Sequence, residues 1–399
     1  LPETPVEGPT TTPTAAVSGA GHDAARGPAA ASTAVDRERS TGAPAAAGDR
    51  GRGAGLAPVP ADARNAAAAA SSAGRSRWTG ELRLEVAQRE GRSYAARQFH
   101  EGALRVLRPH YLDRSGQVTY TVINPGGAYF GADTYLLDVT VERDASLALT
   151  TQSATKVYRT PQGPAAQEMT VRLGPGAVLE YVPDQLIVYR GGSYVQRTRV
   201  DMDPTASLVL AEVVTPGWSP TGESFAYDEL RMRTEVRVLP PAVAASSSSS
   251  ARTLPSSEGS RSSQETQGEQ VTRGTDPVAR IPGARPRRLV VDQLRIHPDA
   301  HGDLTGVGFM EGHSHTGQLL IADARLDEDV YEQLVQLVDA SDTHSGITRA
   351  GAGEPYGVRC VCARSLADST EAISALHRAV VNALRQRWRD QPPLRLRKY

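Results

Sequence analysis

The sequence predicts an all-β body, and three observations carry that prediction. Leu230, Met232, Thr234, Val236 and Val238 alternate with Arg231, Arg233, Glu235 and Arg237, the period of two expected of a strand with one buried face. The same pattern recurs in short runs at 135–142, 147–151, 169–173, 177–181 and 208–213. Gly, Pro and Asp punctuate these runs, and helical periodicity is confined to the last third of the chain.

The 399 residues suffice for a sizeable core, although not all of them suit one. Aromatics make up only 5%, and the 37 Gly and 27 Pro are better explained by the ends and one internal segment than by the middle. A formal charge of -1 gives no general case for nucleic acid or anionic membrane as a partner. No apolar run reaches transmembrane length, which predicts a soluble product. The opening residues lack the apolar centre of a signal peptide, and their scattered Asp and Glu argue against a transit peptide. Cys360 and Cys362 are too few for a disulfide framework and too close on a strand to bridge easily. The expected compartment is the cytoplasm.

Residues 1–75 are mostly Ala, Gly, Pro, Ser, Thr and charge, a composition that predicts a disordered leader. The body begins near 76, where Trp78 to Val86 alternate, and its first part runs to 240. A strand at 77–89 precedes one or two more at 94–107, ending at Pro109. Gly126, Gly127 and Gly131 then mark a sharp loop. It lacks the Lys-Ser or Lys-Thr of a phosphate-cradling loop. At 241–287 five consecutive serines, Ser246 to Ser250, and a patternless polar mixture predict a flexible insertion. The remainder, 288–399, is short for a core of its own and is expected to rejoin the same body.

Two helices are expected there. Asp329 with Glu332 reads as a capping box ahead of Val330, Leu334, Leu337 and Val338. A second helix starts near Asp368, carries Ile373, Leu376, Val380, Leu384 and Trp388 on one side, and stops before Pro392-Pro393. Strands are expected at 319–322 and 356–364.

Candidate chemistry is sparse. His313 and His315, as an i,i+2 pair on a strand, would point both imidazoles to one side and serve a borderline metal, with His344 as a distant third ligand. The bland alternative is a loop pair used for hydrogen bonding. Cys360 and Cys362 share a face without a second pair to complete a thiolate zinc site. A triad of Ser314, His315 and Asp323 can be named only by collecting residue types, because no strand-to-helix nucleophile elbow is present. Paired carboxylates assembled from Asp133, Asp138 and Glu180 fare no better. The polar run Thr150 to Arg159 reads either as a strand pairing its hydroxyls across a sheet or as a hydrated wall.

Several segments form an ordered succession: Pro125-Gly126-Gly127 with Gly131 and Asp133, then Leu149 to Arg159, Gly176 to Asp184, and Pro216-Gly217 through Gly222-Glu223. Gly312-His313-Ser314-His315-Thr316-Gly317, Gly357-Val358-Arg359 and Leu384 to Tyr399 continue it. Taken in order, these segments resemble the UreD (UreH) urease accessory family. Ala132 stands where the family motif has Gly, and Trp218 where that segment often has Arg. Ala132 costs little if its backbone angles are ordinary.

The resemblance implies a β-helix-like arrangement of many short strands with two helices in the C-terminal half. It implies a non-enzymatic scaffold and nickel conduit in urease maturation, binding apo-urease and UreF directly and UreG through UreF, with Ni²⁺ only in transit. On that reading Asp133, Glu180, Thr150 and Thr151 are the conduit candidates, offering oxygen contacts and a water chain. Trp218, Arg385, Arg389 and Tyr399 are the interface candidates, with the arginines and the 395–399 tail expected on the surface. The rivals are a metal-dependent hydrolase using His313 and His315, and a purely structural assembly factor that carries no nickel.

Overall fold

The computed structural model describes residues 77–241 and 285–396. The leader, most of the 241–287 insertion and Tyr399 lie outside the described residues. The chain opens with β1 (Gly80–Arg89), β2 (Arg92–Gly102), β3 (Arg105–Val106) and β4 (Val118–Ile123). Three coils follow: β5 (Thr134–Val141), β6 (Ser146–Thr151) and β7 (Thr155–Val157); β8 (Ala165–Leu173), β9 (Val178–Tyr181) and β10 (Leu186–Val188); β11 (Ser193–Met202) and β12 (Ser207–Val214). Strand β13 (Glu229–Val238) begins another turn. The rest comprises β14 (Arg287–Ile296), a one-turn helix α1 (Pro298–His301), β15 (His315–Asp323), α2 (Glu328–Asp339), β16 (His344–Ala350), β17 (Arg359–Ala367) and α3 (Thr370–Arg389).

Successive coils stack in parallel, so the architecture is solenoid-like. One sheet has the order β14-β13-β11-β8-β5-β1-β2, and the other runs β16-β17-β15-β12-β9-β6-β4-β3. Within the first sheet β5, β8, β11 and β13 pair in parallel and in register. In the second, β6, β9 and β12 do the same. Strands β7 and β10 form a short third side, also parallel. Antiparallel neighbours close the stack, β2 and β1 at one end and β13 and β14 at the other.

Alternation decides what each face buries. Leu82, Val139, Val171, Val200 and Val236 of the first sheet and Leu147, Leu179 and Leu208 of the second enter the main core between the sheets. The outer face of the first sheet is solvated and charged, with pairs such as Arg172–Asp138 at 2.6 Å and Arg295–Glu229 at 2.8 Å. Such exposed pairs add little stability each, but they keep the sheet surface soluble. The outer face of the second sheet is apolar, and α2 and α3 cover it. Ala148, Val209, Ile321 and Val361 meet Leu334 and Val380 in a second core.

The helix starts correct the sequence reading in one place. Asp327, not Asp329, caps α2, its side chain accepting from the Val330 N–H. Ser369 caps α3 by accepting from the Ala372 N–H, and α3 ends at Asp390 in a left-handed conformation before the two prolines. Gly317 lets α3 approach β15, since a Cβ there would lie 2.3 Å from Ile373 Cγ2 and 3.2 Å from His377 Nε2. His377 is accordingly buried, and burial pushes its imidazole down to about 4, so it stays neutral.

Ala132 does not have ordinary angles. Its φ is +63°, the left-handed region in which a Cβ is penalised. Ala132→Gly is therefore expected to raise the unfolding free energy by about 1 kcal/mol, measured by urea denaturation. A loss of stability would contradict the strained backbone.

Candidate functional site: a polar row inside the solenoid

Parallel pairing aligns side chains of equal register across successive coils. Tyr135 of β5 stands beside Gln167 of β8, which stands beside Gln196 of β11 and then Met232 of β13. These positions point inward, so polar groups at three of the four form a row in a largely apolar core, with Thr198 and Thr234 side by side at the next inward position. Gln167 and Gln196 are both buried. On the facing sheet the register brings Glu212 of β12, Gln318 of β15 and Arg364 of β17 into a second row.

Hydrogen bonds join the pieces. Asp133 Oδ2 accepts from the Phe130 N–H at 2.8 Å and from the Tyr135 hydroxyl at 2.9 Å. Tyr135 stacks on Tyr129 with ring centroids 3.6 Å apart, and the Tyr129 hydroxyl donates to Gln167 Oε1 at 2.8 Å. Deeper in, the Tyr194 hydroxyl donates to Gln196 Oε1 at 3.1 Å, and the Gln196 amide donates to Glu212. At the far edge Arg364 grips both oxygens of Asp292, each at 2.6 Å. Glu212, Gln196, Gln167 and Tyr181 border a cavity of about 20 Å³, room for one water.

The electrostatics single out Glu212. Burial pushes its carboxyl up to about 7; the bond from Gln196 pulls it down, Asp292 pushes it up again and Arg364 pulls it down. Burial also holds the phenols of Tyr129, Tyr181 and Tyr194 well above their ordinary range, so they remain protonated donors. At neutral pH the row therefore carries one carboxyl poised between its charged and neutral forms.

The sequence-derived candidates are divided by the second sheet. Asp133 sits at one end of the row. Thr151 faces the same interior, and its Oγ1 accepts from the Asp184 N–H at 2.8 Å. Thr150 and Glu180 lie on the opposite, helix-covered side. The Thr150 hydroxyl donates to the Val182 carbonyl at 2.6 Å. Glu180 is 1% exposed, and Arg385 Nη1 donates to its Oε2 at 2.6 Å while Arg389 donates to Oε1. Gln117 adds a bond to Oε2 at 3.1 Å, and Asp113 takes the other Arg385 nitrogen at 2.8 Å. The expectation that Arg385 and Arg389 stand on the surface is thus corrected: Arg385 is 0% exposed, and burial pushes the Arg389 guanidinium down although Glu180 opposes this. Trp218 is 51% exposed.

The histidine pair is also rearranged. His313 precedes β15 rather than lying on it, and its Nδ1 is 3.3 Å from Asp368 Oδ2, with the ring stacked on His344 at 6.0 Å. His315 turns instead to the Ser314 hydroxyl, 2.8 Å away. The two imidazoles do not share a ligand point, and among the described residues no group of three or more His, Cys, Asp or Glu is arranged to hold a metal. No helix among the described residues is long and apolar enough to cross a membrane.

A family model for UreD urease accessory protein matches residues 79–247 and 259–398. The chain belongs to the UreD family. The urease accessory protein UreD of Kocuria rhizophila is 74% identical over 348 residues, covering 85% of this chain and 94% of that protein. The UreD proteins of Paenarthrobacter aurescens (46% over 320 residues; 80% of this chain, 95% of that one) and Actinomyces naeslundii (42% over 322 residues; 80% and 99%) are also similar. As a UreD family member the chain has an accessory role in urease maturation and is not the catalyst.

The row yields a pH prediction for Glu212. In the folded protein its carboxyl keeps a proton up to about 7, whereas the unfolded glutamate loses it near 4.5. Stability contributed by this proton is complete below 4.5, falls as pH rises through that window and is gone above 7. Glu212→Gln is expected to remove the decline, gaining on the order of 2 kcal/mol relative to the parent between pH 5 and pH 8 in urea unfolding. Parallel pH profiles for the two proteins would contradict the raised carboxyl.

Proposed function

We propose that this chain is a urease maturation factor that scaffolds UreF, UreG and apo-urease and passes nickel between them along its interior row. The supporting observation is the register-aligned series of oxygen-bearing side chains inside the solenoid, from Asp133 through Tyr135, Gln167 and Gln196 to Glu212. Apo-urease and UreF are its direct partners, UreG joins through UreF, and α2 and α3 with the segment after them form the UreF side. The setting is the cytoplasm.

Nickel here is cargo. A divalent cation that must move on needs oxygen ligands and exchangeable water, not a closed cage of thiolates and imidazoles. The row offers carboxylate, amide and phenol oxygens, each already in a hydrogen bond that an arriving ion can replace. Glu212 adds a second device. Near neutrality it carries a proton in exchange for a cation, so an empty row avoids a buried negative charge and an occupied row gains one. Asp133 stands at a half-buried mouth and serves as the first or last carboxylate. Glu180, clamped by two arginines, holds α3 in place instead.

The cavity of about 20 Å³ is too small for a six-coordinate hydrated ion, so Gln167, Gln196 and Met232 must rotate during passage. That narrowness favours a second reading, in which the chain shapes the urease surface while nickel enters by another route. Reconstitution of urease from apo-urease, UreF, UreG, GTP, bicarbonate and nickel separates the two. Conduction predicts that Glu212→Leu assembles normally yet lowers the activated fraction by about tenfold, a loss equivalent to about 1.4 kcal/mol. Full activation by an assembled Glu212→Leu complex would exclude the interior route, and activation without this chain would remove its role.

A further inference from the structure

The third side of the solenoid carries a line of aromatic rings that neither core uses. Inward-pointing Tyr129, Val157 and Val188 alternate with outward-pointing Phe130, Tyr158 and Tyr189, one pair per coil. Phe130 meets Tyr158 edge to face at 5.5 Å, Tyr158 meets Tyr189 at 4.6 Å, and Tyr189 meets Trp218 at 5.0 Å. Phe130 is 48% exposed, Tyr158 37% and Trp218 51%.

The backbone is built to present this line. Trp218 bridges to Tyr189 in parallel, its N–H donating to the Val188 carbonyl at 3.2 Å. That approach requires Gly217, whose φ is +88° and whose Cβ, if present, would lie 2.3 Å from the Val188 oxygen. Continuous exposed aromatic surface of this kind costs solubility unless another surface covers it.

Geometry and charge narrow the occupant. The rings meet edge to face or tilted, with interplanar angles of 80°, 71° and 39°, so they form a ridge rather than parallel platforms for stacking bases or sugars. Trp, Tyr and Arg clusters are the usual anchors of protein interfaces. Lys156, Arg159 and Arg190 flank the ridge; Glu223 pairs with Arg190 at 3.2 Å, and the other two cations have no acidic partner in an ion pair among the described residues. A second copy of the chain meeting ridge to ridge would oppose these cations with themselves. An acidic protein surface complements them.

We infer that the ridge of Phe130, Tyr158, Tyr189 and Trp218 is the docking surface for apo-urease, received through an acidic-rimmed apolar patch. The inference rests on the proposed urease-maturation role and adds the place of contact. Phe130 hydrogen-bonds Asp133 through its backbone N–H, so a partner on the ridge sits over the Asp133 mouth of the interior row. The helical side is left to UreF.

The test uses the full chain in complex with UreF and purified apo-urease as the probe, read by biolayer interferometry. Trp218→Ala and, separately, Arg159→Glu each alter an exposed side chain and are expected to weaken urease binding by about tenfold or more while UreF binding changes less than about twofold. Urease binding unchanged in both variants, or loss of UreF binding in place of urease binding, would overturn the docking assignment. A parent complex that binds no urease would sink the maturation role itself, a result distinct from a parent that binds and variants that bind equally well.

Discussion

In-register parallel stacking is the constraint on which the rest depends. When β5, β8, β11 and β13 pair without a shift, one inward position repeats down the stack, and whatever residue occupies it becomes part of a row. Tyr135, Gln167 and Gln196 occupy one such position. A slip of a single residue would turn these groups to the charged outer face and bring Glu168 and Arg197 inward. The apolar residues two positions on, Leu137 and Met169 among them, resist that slip because they would leave the core. Burial energy thus fixes the register, and the register fixes a polar path that burial alone would never favour.

The same sheet that walls the interior anchors the helices. Glu180 lies on the outer side of β9 and receives Arg385 and Arg389 from α3, while Gln117 and Asp113 complete the polar shell. Removing one member of such a buried network strands the others, at a cost of about 3–5 kcal/mol. Hydrophobic contact from Leu376, Val380 and Leu384 supplies the attraction between α3 and the sheet. The ion network sets how the helix sits along it, a division of labour between non-directional and directional forces.

Much of the fold was legible because strand alternation survives wherever one face is apolar and the other charged. The 230–238 run alternates on that basis, and β13 spans Glu229–Val238. Strand β11 is not legible for the converse reason: its inward residues include Gln196 and Thr198, so polar side chains on both faces hide the period of two. Glu212 is not legible because both faces of β12 are apolar, so the sequence does not say which one is the interior; it shares the face of Leu208 and Leu210, which enter the main core, whereas Val209 and Ala211 meet the helices. Glu180 is a conduit candidate by resemblance, but it lies on the helix-covered side, held by Arg385 and Arg389. Its partners lie 205 and 209 residues away, a separation that no local pattern encodes. The i,i+2 spacing of the two histidines suits a shared strand face, but β15 begins at His315 and leaves His313 in the preceding loop. A signal was available for the aromatic ridge: Phe130, Tyr158, Tyr189 and Trp218 each follow a turn or short strand in a chain with few aromatics.

Interior polarity, a poised carboxyl and a half-buried acidic mouth are the features on which the proposed passage of a cation between the sheets rests, with the aromatic ridge and the helical side as the proposed surfaces for the proteins that give and take it. Anomalous diffraction at the nickel edge, from crystals of the chain with UreF soaked in Ni²⁺, addresses this most directly. A nickel path through the interior gives density between the two sheets, with an oxygen of Glu212 or Asp133 among the ligands. Density confined to the surface histidines His313 and His344, with the interior empty, would contradict it.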